Sequence, residues 1–177
     1  YGLPGWVPLT GDWTGSGHTG IGVYDPNTAT FYLRNSPTPG NPDLVIQYGV
    51  RGWLPVVGDW DGNGTTTIAV VDPVTFNWFI RNSNTPGAPD FFFQYGAPGW
   101  LPVAGDWNGD GFASIGVVDP TSATWYLRNP LNPGGPDAGQ FQYGGAGWRP
   151  VAGHWNGGPA DGIGAVDPAT GTWYLRN

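Results

Sequence analysis

The chain is organised around one seven-residue stretch, Gly105-Asp106-Trp107-Asn108-Gly109-Asp110-Gly111, which recurs in altered form along the sequence. Gly58-Asp59-Trp60-Asp61-Gly62-Asn63-Gly64 is the second clear version. Two degenerate versions, at 11–17 and 153–158, have lost several of the oxygen-bearing residues. Oxygen ligands at alternate positions followed by Gly are typical of hairpin loops that wrap a hard cation. The stretch therefore marks a loop, a candidate metal site and the same point in each copy of a larger repeat.

Three other motifs recur with the same period and define that repeat. A Gly-Trp pair, an Asp-Pro pair and an aromatic end that finishes in Arg-Asn each occur once per unit, and Gln-Tyr-Gly separates the units. Successive Gly-Trp pairs are 47, 47 and 48 residues apart. Self-similarity at such a period indicates a repeat architecture. We predict a single repeat domain over 1–177, divided into units 3–49, 50–96, 97–144 and 145–177.

Each unit carries the signals of four short strands. In the third unit we expect the first strand at Leu101 to Trp107, the second at Ile115 to Asp119 and the third at Trp125 to Arg128. A Pro/Gly loop precedes the fourth strand, which in the second unit is Phe91 to Tyr95. Along the third strand, Trp and Leu face one way and Tyr and Arg the other. Four strands in each stretch of ~45 residues, without helix signals, predict an all-β fold of the β-propeller class. The four repeats would form a small four-bladed ring or part of a larger ring.

The fourth unit departs from this plan, because its sequence supplies only three strands up to Asn177. Two explanations stay open: Tyr1-Gly2 is the remainder of a closing strand, or the chain is a slice of a larger ring. An open arc would expose an unpaired strand edge. We expect the units to close as one ring or to pair with a second chain, as a homodimer that closes a larger ring.

The composition supports an all-β interpretation and excludes some partners. The chain has 32 Gly and 19 Pro, which favour turns, together with 11 Trp, 8 Tyr and 8 Phe, which disordered chains lack. All 13 acids are Asp and all 6 bases are Arg, so the helix formers Glu and Lys are absent. A net charge of −7 argues against binding to nucleic acid. No apolar run approaches the ~20 residues of a membrane span, so membrane insertion is not expected.

The repeat unit resembles a known family. The acidic Gly-Asp-Trp loop, the Ile-(Gly/Ala)-Val-(Val/Tyr)-Asp-Pro segment and the Arg-Asn end are similar to the FG-GAP/VCBS-type repeats of bacterial extracellular proteins. Those repeats are in turn similar to the blades of the integrin alpha-subunit propeller. The resemblance covers all four units. It implies a secreted propeller whose first-to-second-strand loops bind calcium, in proteins that adhere, bind sugars or space other domains.

The resemblance places calcium in the loops of units two and three. The candidate ligands are Asp59, Asp61, Asn63, Asp106, Asn108 and Asp110. The family usually has a carboxylate at the ninth loop position, whereas this chain has Gly20, Thr67, Ser114 and Gly162. Only two carboxylates per loop remain. The alternative is an Asx-turn loop, in which Asp and Asn accept hydrogen bonds from local backbone N–H groups and no ion is needed.

Tryptophan supplies the candidate platforms for a ligand, since sugars stack on aromatic faces. All 11 Trp occupy one of three repeat positions, so packing is the alternative to binding. The Gly-Trp set follows a flexible Gly-rich turn, and we expect it to be more exposed than the third-strand set. Its members are Trp6, Trp53, Trp100 and Trp148.

The remaining charged residues are expected to be structural. The Arg of the Arg-Asn ends equal the Asp of the Asp-Pro pairs in number, which predicts one Arg–Asp pair per unit. The pairs would join Arg34, Arg81, Arg128 and Arg176 to Asp25, Asp72, Asp119 and Asp167. His18 and His154 are expected to be loop residues rather than a metal pair.

The sequence favours a binding module over an enzyme. There is no Cys, Glu or Lys and no Gly-x-Ser-x-Gly motif. Ten of the 13 Asp are fixed by the repeat, and the others, Asp61, Asp110 and Asp161, belong to three units, so a carboxylate pair for glycoside hydrolysis is not expected. We predict a non-catalytic extracellular module that presents a ligand-binding surface to carbohydrate or to another protein, with calcium-supported carbohydrate binding as the first hypothesis. The alternative is a structural or adhesive spacer, or an engineered repeat scaffold, without a small-molecule site.

Overall fold

The structure, a computed structural model, describes residues 1–177 and consists of strands and turns without a helix. Four antiparallel sheets follow one another along the chain, and in each of them sequential strands are neighbours. No helix of the chain has the length and apolar character needed to cross a membrane. The prediction of an all-β, β-propeller fold is confirmed, because each repeat forms one blade-type meander sheet.

The first two sheets have four strands each. Their bounds are β1 (Val7–Gly11), β2 (Gly20–Asp25), β3 (Thr30–Arg34), β4 (Leu44–Gln47), β5 (Leu54–Gly58), β6 (Thr67–Val71), β7 (Asn77–Ile80) and β8 (Phe91–Gln94). They belong to one compact unit, which comprises 1–73 and 77–93. Ile68 and Val70 of β6 pack in the same buried cluster as Tyr24, Phe31 and other apolar residues of the first sheet. The core of this unit therefore lies between its two sheets.

The last two sheets form the second compact unit, which comprises 74–76 and 94–177. Their strands are β9 (Leu101–Gly105), β10 (Ser114–Asp119), β11 (Thr124–Arg128), β12 (Gly139–Gln142), β13 (Arg149–Gly153), β14 (Gly162–Asp167) and β15 (Thr172–Arg176). Ile163 of β14 packs against Trp125 and Leu127 of β11 in a buried cluster. The fourth sheet has three strands, in the order β13-β14-β15.

The strands lie within two residues of their predicted bounds. The first strand of the third repeat ends at Gly105 rather than Trp107, because the Trp107 indole turns back and donates a hydrogen bond to the Ile115 carbonyl (2.9 Å). The alternation predicted for the third strand is also present. Trp125 and Leu127 are buried, and Tyr126 between them is half-buried. One face of each intact sheet thus enters the core while the aromatic residue at the middle of its third strand remains accessible.

The predicted Arg–Asp pairing is wrong. Asp25 pairs across the sheet with Thr30, whereas Arg34 pairs with Ile21, so the two charges lie at opposite ends of the β2–β3 hairpin. The Asp-Pro carboxylates instead hold their own turns: Asp25 accepts hydrogen bonds from the Asn27 N–H (2.9 Å) and the Thr28 hydroxyl (2.7 Å). Asp119 and Asp167 do the same in their repeats. The prediction was based on equal numbers of Arg and Asp, and those numbers do not show at which end of a hairpin each residue lies.

Candidate functional site

Each Gly-Trp tryptophan stacks on the accessible aromatic residue of the third strand of its own sheet. The ring centroids are 4.9 Å apart for Trp6–Tyr32, 4.5 Å for Trp53–Phe79, 4.7 Å for Trp100–Tyr126 and 4.8 Å for Trp148–Tyr174. The interplanar angles run from 8° to 24°. Stacked aromatic pairs of this kind contribute about 0.5–1.5 kcal/mol beyond the burial of their surface. The stack therefore fixes the orientation of an indole ring that remains half-buried.

A tight turn places each tryptophan for stacking. The Trp100 N–H donates to the Ala97 carbonyl (3.1 Å), which closes a four-residue turn with Pro98 and Gly99 at its centre. Gly99 has φ of 84°, the left-handed conformation that a type II turn requires at its third position. The same hydrogen bond closes the turn before Trp6, Trp53 and Trp148. The Gly-Trp motif is thus a turn residue followed by the aromatic residue that the turn positions.

The Tyr-Gly pair between repeats forms a second wall beside the stack. A Cβ on Gly49 would lie 2.8 Å from the Val70 side chain, so only Gly allows this close approach. The preceding residue, Tyr48, is buried, and loss of solvent raises the pKa of its hydroxyl to about 12 despite the nearby Arg81 charge. Burial raises the pKa of Tyr95 in the next repeat to about 12 as well. These tyrosine hydroxyls are buried and neutral at physiological pH.

A Pro/Gly loop that is folded around an Arg forms the third wall. The Arg128 guanidinium donates hydrogen bonds to the carbonyls of Asn132 (2.9 Å), Pro133 (3.1 Å) and Gly135 (2.5 Å). It also pairs with Asp137 at 3.4 Å, whose other carboxylate oxygen accepts a hydrogen bond from the Asn129 N–H (2.8 Å). Arg34 and Arg81 hold their loops through the carbonyls at the same sequence separations. Charge-assisted hydrogen bonds of this kind give the loop a defined shape before any ligand binds.

The three walls border an open recess in each of the first three repeats, which we call an aromatic recess. The recess at Trp100 has a volume of about 350 Å³. Those at Trp6 and Trp53 have volumes of about 280 Å³ each. Each is lined by the stacked pair, by the Tyr-Gly pair and by one proline of the Pro/Gly loop. These prolines are Pro42, Pro89 and Pro136.

The fourth repeat has the stacked pair without the complete recess. Trp148 stacks on Tyr174, and Gly144 approaches Ala165 as Gly49 approaches Val70. No residue of this sheet takes the place of Pro42, Pro89 and Pro136, and Tyr174 is exposed. The structure therefore has three complete aromatic recesses and one that is open on one side.

The acidic loops lie away from the recesses. Within a repeat the Gly-Trp residue precedes the first strand, whereas the acidic loop follows it, so the two features are at opposite ends of that strand. The structure consequently separates the two sets of predicted site residues. The tryptophans belong to the recesses, and the proposed calcium ligands form a separate set of loops.

The carboxylates of the acidic loops are engaged by backbone N–H groups. In the third repeat one Asp106 oxygen accepts from Gly109 (2.7 Å) and Asp110 (3.2 Å), and the other accepts from Gly111 (2.8 Å). Asp110 accepts from the Phe112 N–H (2.9 Å) and the Asn108 amide (2.8 Å). In the second repeat Asp59 accepts from Asn63 (3.1 Å) and Gly64 (2.7 Å). These are the hydrogen bonds of an Asx-turn loop.

In the shape that these loops adopt, their side chains are not gathered into a metal site. Nowhere in the chain do three His or Asp side chains gather into a group that could hold a metal ion. A calcium site needs six to eight converging oxygen ligands, and the carboxylate oxygens of Asp106 face N–H hydrogens instead. Calcium binding at Asp59, Asp61, Asn63, Asp106, Asn108 and Asp110 stays a prediction.

The loop carboxylates differ in their proton affinity. Desolvation would raise the pKa of Asp12, but hydrogen bonds from Ser16, Thr14 and Gly17 outweigh it and lower the pKa to about 2. At Asp59 desolvation prevails over the hydrogen bonds from Gly64 and Asn63, and the neighbouring Asp61 charge adds to it, so the pKa is raised. The same loop position thus carries a more strongly acidic group in one repeat than in the next.

Two residues outside the repeat pattern join loops of neighbouring sheets. Asp161 accepts a hydrogen bond from the Asp106 N–H (2.9 Å), and its own N–H donates to the Asp106 carbonyl (2.7 Å). Thr66 makes the same reciprocal pair of bonds with Asp12 in the first unit. His154 lies 3.7 Å from Asp161. Asp161 is therefore a connecting residue within its unit.

Comparison of the chain with protein-family models, curated proteins and solved structures found no match. The resemblance to FG-GAP/VCBS-type repeats accordingly stays a prediction based on the motifs. Any function has to be argued from the recesses themselves.

Sequence reasoning identified one of the residue types that form each recess and missed the others. The Gly-Trp set is half-buried and more exposed than the buried Trp78 and Trp125, as expected, but Trp173 of the third-strand set is 59% exposed, so the expectation is wrong for the fourth repeat. The stacking partners were missed. They are Tyr32, Phe79, Tyr126 and Tyr174. The alternation of the third strand contained the signal, since it placed these residues on the face opposite the core.

Proposed function

We propose that the chain is a non-catalytic, extracellular β-propeller module that binds carbohydrate in its aromatic recesses. The observation that supports the proposal is the threefold occurrence of one recess built from a stacked Trp, a Tyr-Gly pair and a proline. An enzyme needs groups with distinct protonation roles at one place, whereas these recesses repeat the same residues. A repeated binding site is consistent with a module that holds an extended, repetitive ligand.

The chemistry of the recesses suits a sugar ring. One face of a pyranose carries C–H groups that pack on an indole, and its hydroxyl groups need hydrogen-bonding partners at the edge. The indole of Trp53 provides the apolar platform, and the neighbouring Gln47 lines the same recess as a polar group. Small-molecule sites have volumes of about 300–1,000 Å³. The recesses, at about 280 to 350 Å³, are at or just below the lower end of that range, which suits one ring rather than a long segment.

The recesses favour a neutral ligand. No carboxylate or guanidinium lines them, because each Arg is turned into its own Pro/Gly loop. The tyrosine hydroxyls beside them are protonated at physiological pH. We therefore propose neutral hexoses, within a longer glycan, as the ligand class.

Binding at the recesses is proposed to be independent of calcium. The acidic loops are at the far end of the first strand from the Trp, so an ion there would not touch a ligand in the recess. This changes the hypothesis of calcium-supported binding into one of carbohydrate binding without a metal. An effect of calcium would have to act through the stability of the protein.

The first test is a glycan array in calcium and again in chelator, followed by titration calorimetry on the best ligand. We expect the same glycans to bind in both conditions, with about three equivalent sites per chain, one for each complete recess. An array without any hit would remove the proposal and favour the structural or adhesive spacer. Hits that vanish in chelator would restore the calcium-supported hypothesis.

Matched variants locate the site. Trp53→Ala is expected to remove one binding site and leave the affinity of the other two unchanged. Trp173→Ala serves as the control, because Trp173 is 59% exposed and lies outside the complete recesses. Equal loss of binding in both variants would show that exposed tryptophan alone, rather than the recess, attracts the ligand.

A further inference from the structure

Three Asn-Gly pairs occur in the chain, and each lies in an acidic loop: Asn63-Gly64, Asn108-Gly109 and Asn156-Gly157. An Asn followed by Gly deamidates spontaneously more readily than other Asn, because Gly has no side chain to hinder its backbone nitrogen. The side chains of all three Asn are exposed, so solvent access does not distinguish them. The hydrogen bonds of the reacting groups do.

The reaction begins when the backbone nitrogen of the Gly attacks the side-chain Cγ of the Asn. The new N–Cγ bond closes a succinimide ring, the N–H proton passes to water, and the amide nitrogen leaves as ammonia. Water then opens the ring at either carbonyl, which yields Asp or isoaspartate. A hydrogen bond that holds the Gly N–H has to break before the attack, so it slows the reaction.

The backbone nitrogen is held in the second and third loops. The Gly109 N–H donates to a carboxylate oxygen of Asp106 (2.7 Å). The Gly64 N–H donates to a carboxylate oxygen of Asp59 (2.7 Å). Both acceptors are the leading Asp of the Gly-Asp-Trp motif. A hydrogen bond to an ionised group is about twice as strong as one between neutral groups, so both nitrogens are protected.

The fourth loop lacks this acceptor. His154 stands where the other loops have the leading Asp, and its ring lies 3.7 Å from Asp161. The Gly157 N–H makes no hydrogen bond within the chain. Its backbone otherwise matches that of Gly109, since φ is 73° at the first and 75° at the second. The two loops thus present the same turn with and without a bond to the attacking nitrogen.

The side-chain amide also differs between the third and fourth loops. The Asn108 amide donates a hydrogen bond to the Asp110 carboxylate (2.8 Å), which fixes its orientation. Gly158 replaces Asp110 in the fourth loop, so the Asn156 amide has no carboxylate partner there. The Asn156 Oδ1 instead accepts a hydrogen bond from the Gly158 N–H (2.8 Å). A donor at this oxygen draws electron density from Cγ and stabilises the negative charge that develops on the oxygen during the attack.

We propose that Asn156 is a site of spontaneous deamidation in the folded protein, at which the Gly157 nitrogen converts it to Asp and isoaspartate while the Asn of the second and third loops are preserved. The inference rests on His154 and Gly158, the two residues that replace carboxylates in the fourth loop. It does not depend on the proposed carbohydrate binding. The Asp product gives the fourth loop a carboxylate at the position that Asp61 occupies in the second loop.

The test is incubation of the folded chain in mildly alkaline buffer, followed by digestion and tandem mass spectrometry, with isoaspartyl methyltransferase labelling to detect isoaspartate. We expect both products to accumulate at Asn156 at least about tenfold faster than at Asn108, the factor that corresponds to one hydrogen bond to a charged group. The same incubation in urea is the control. Without the loop structure, the rates at the two sites should converge.

Matched variants test the cause. His154→Asp restores the missing acceptor and is expected to slow deamidation of Asn156 about tenfold. Gly158→Asp, which supplies the counterpart of Asp110, should slow it as well. In both variants an unchanged slow rate at Asn108 shows that the loops remain folded.

The outcomes are separable. Equal rates at Asn108 and Asn156 in the folded chain, or a difference that persists in urea, would overturn the proposal. An unchanged rate at Asn156 in both variants, with Asn108 still protected, would overturn the assignment to the missing carboxylates. A fast reaction at Asn156 that is confined to the folded chain and slowed by His154→Asp supports the proposal.

Discussion

At the scale of single residues, the aspartates of the acidic loops act through hydrogen bonds to backbone N–H groups. Asp106 holds three such bonds, and the loop that it closes docks on Asp161 of the next sheet. Asp61 occupies the second acidic position of its loop and is half-buried without comparable bonds. The same residue type thus has different roles at positions two residues apart in the motif.

This difference predicts the response to substitution and to metal. Asp106→Asn removes the charge that accepts three N–H bonds and is expected to lower the free energy of unfolding by about 1–2 kcal/mol, or the Tm by about 2–6 °C. The loss should be equal in calcium and in chelator, and Asp61→Asn should change little in either. Thermal unfolding of both variants under both conditions measures this. A loss confined to calcium-containing buffer, in either variant, would mean that the loops hold the ion after all.

At the scale of elements, the third strand of each sheet depends on the fourth strand for its burial. Trp78 and Trp125 are covered, and the facing Phe93 and Phe141 rings lie 6.4 Å and 6.5 Å from them. Trp173 has the same sequence context but no such neighbour. The energetic role of this tryptophan is therefore set by its position in the sheet and not by the motif.

We expect Trp78→Ala to cost about 3–5 kcal/mol of stability, since it leaves a large cavity in a buried site. Trp173→Ala should cost less than about 1 kcal/mol, because the side chain is already in water. Urea unfolding of the two variants provides the comparison. Similar losses of stability in the two variants would contradict this expectation, because they would mean that Trp173 is buried in solution.

How much the sequence could predict follows from the same elements. The strands and the Asp-Pro turn are local features, so periodicity and turn residues located them to within two residues. The sequence was also sufficient to single out Trp6, Trp53, Trp100 and Trp148, because a turn with a central Gly is a local signal. The Arg34 contacts and the Tyr32 stacking depend on which residues face each other across a sheet and a folded loop. A repeated motif marks such positions but does not give their pairing.

At the scale of the whole molecule, the acid dependence of stability follows from the many aspartates that are better hydrogen-bonded in the folded chain. The Thr28 hydroxyl lowers the pKa of Asp25, the Ser122 hydroxyl that of Asp119, and the Ala169 N–H that of Asp167. The pKa of Asp110 is lowered chiefly by the Phe112 N–H, and that of Asp12 falls to about 2. A lowered pKa means that the folded state binds the proton less readily than the unfolded state.

The stability contributed by these groups is fully present above their unfolded pKa of 3.8 and is lost as the pH falls toward 2. Asp59 acts in the opposite sense because its pKa is raised, but it is one group against five. We expect the urea midpoint to be nearly constant from pH 7 to 5 and to fall between pH 4 and 2.5. Asp167→Asn should make that fall smaller. An undiminished midpoint at pH 2.5 would contradict the proposed role of the turn carboxylates.

The hydrogen bonds from each arginine to its Pro/Gly loop determine which positions of the loop can be substituted. Arg34, Arg81 and Arg128 bind the carbonyls four, five and seven residues ahead in all three repeats, although the loops differ in sequence. Because these hydrogen bonds go mainly to main-chain carbonyls, the conformation of the loop does not depend on most of its side chains. Substitutions in one Pro/Gly loop would therefore change the ligand preference of its own aromatic recess and leave the sheet and the other recesses unchanged.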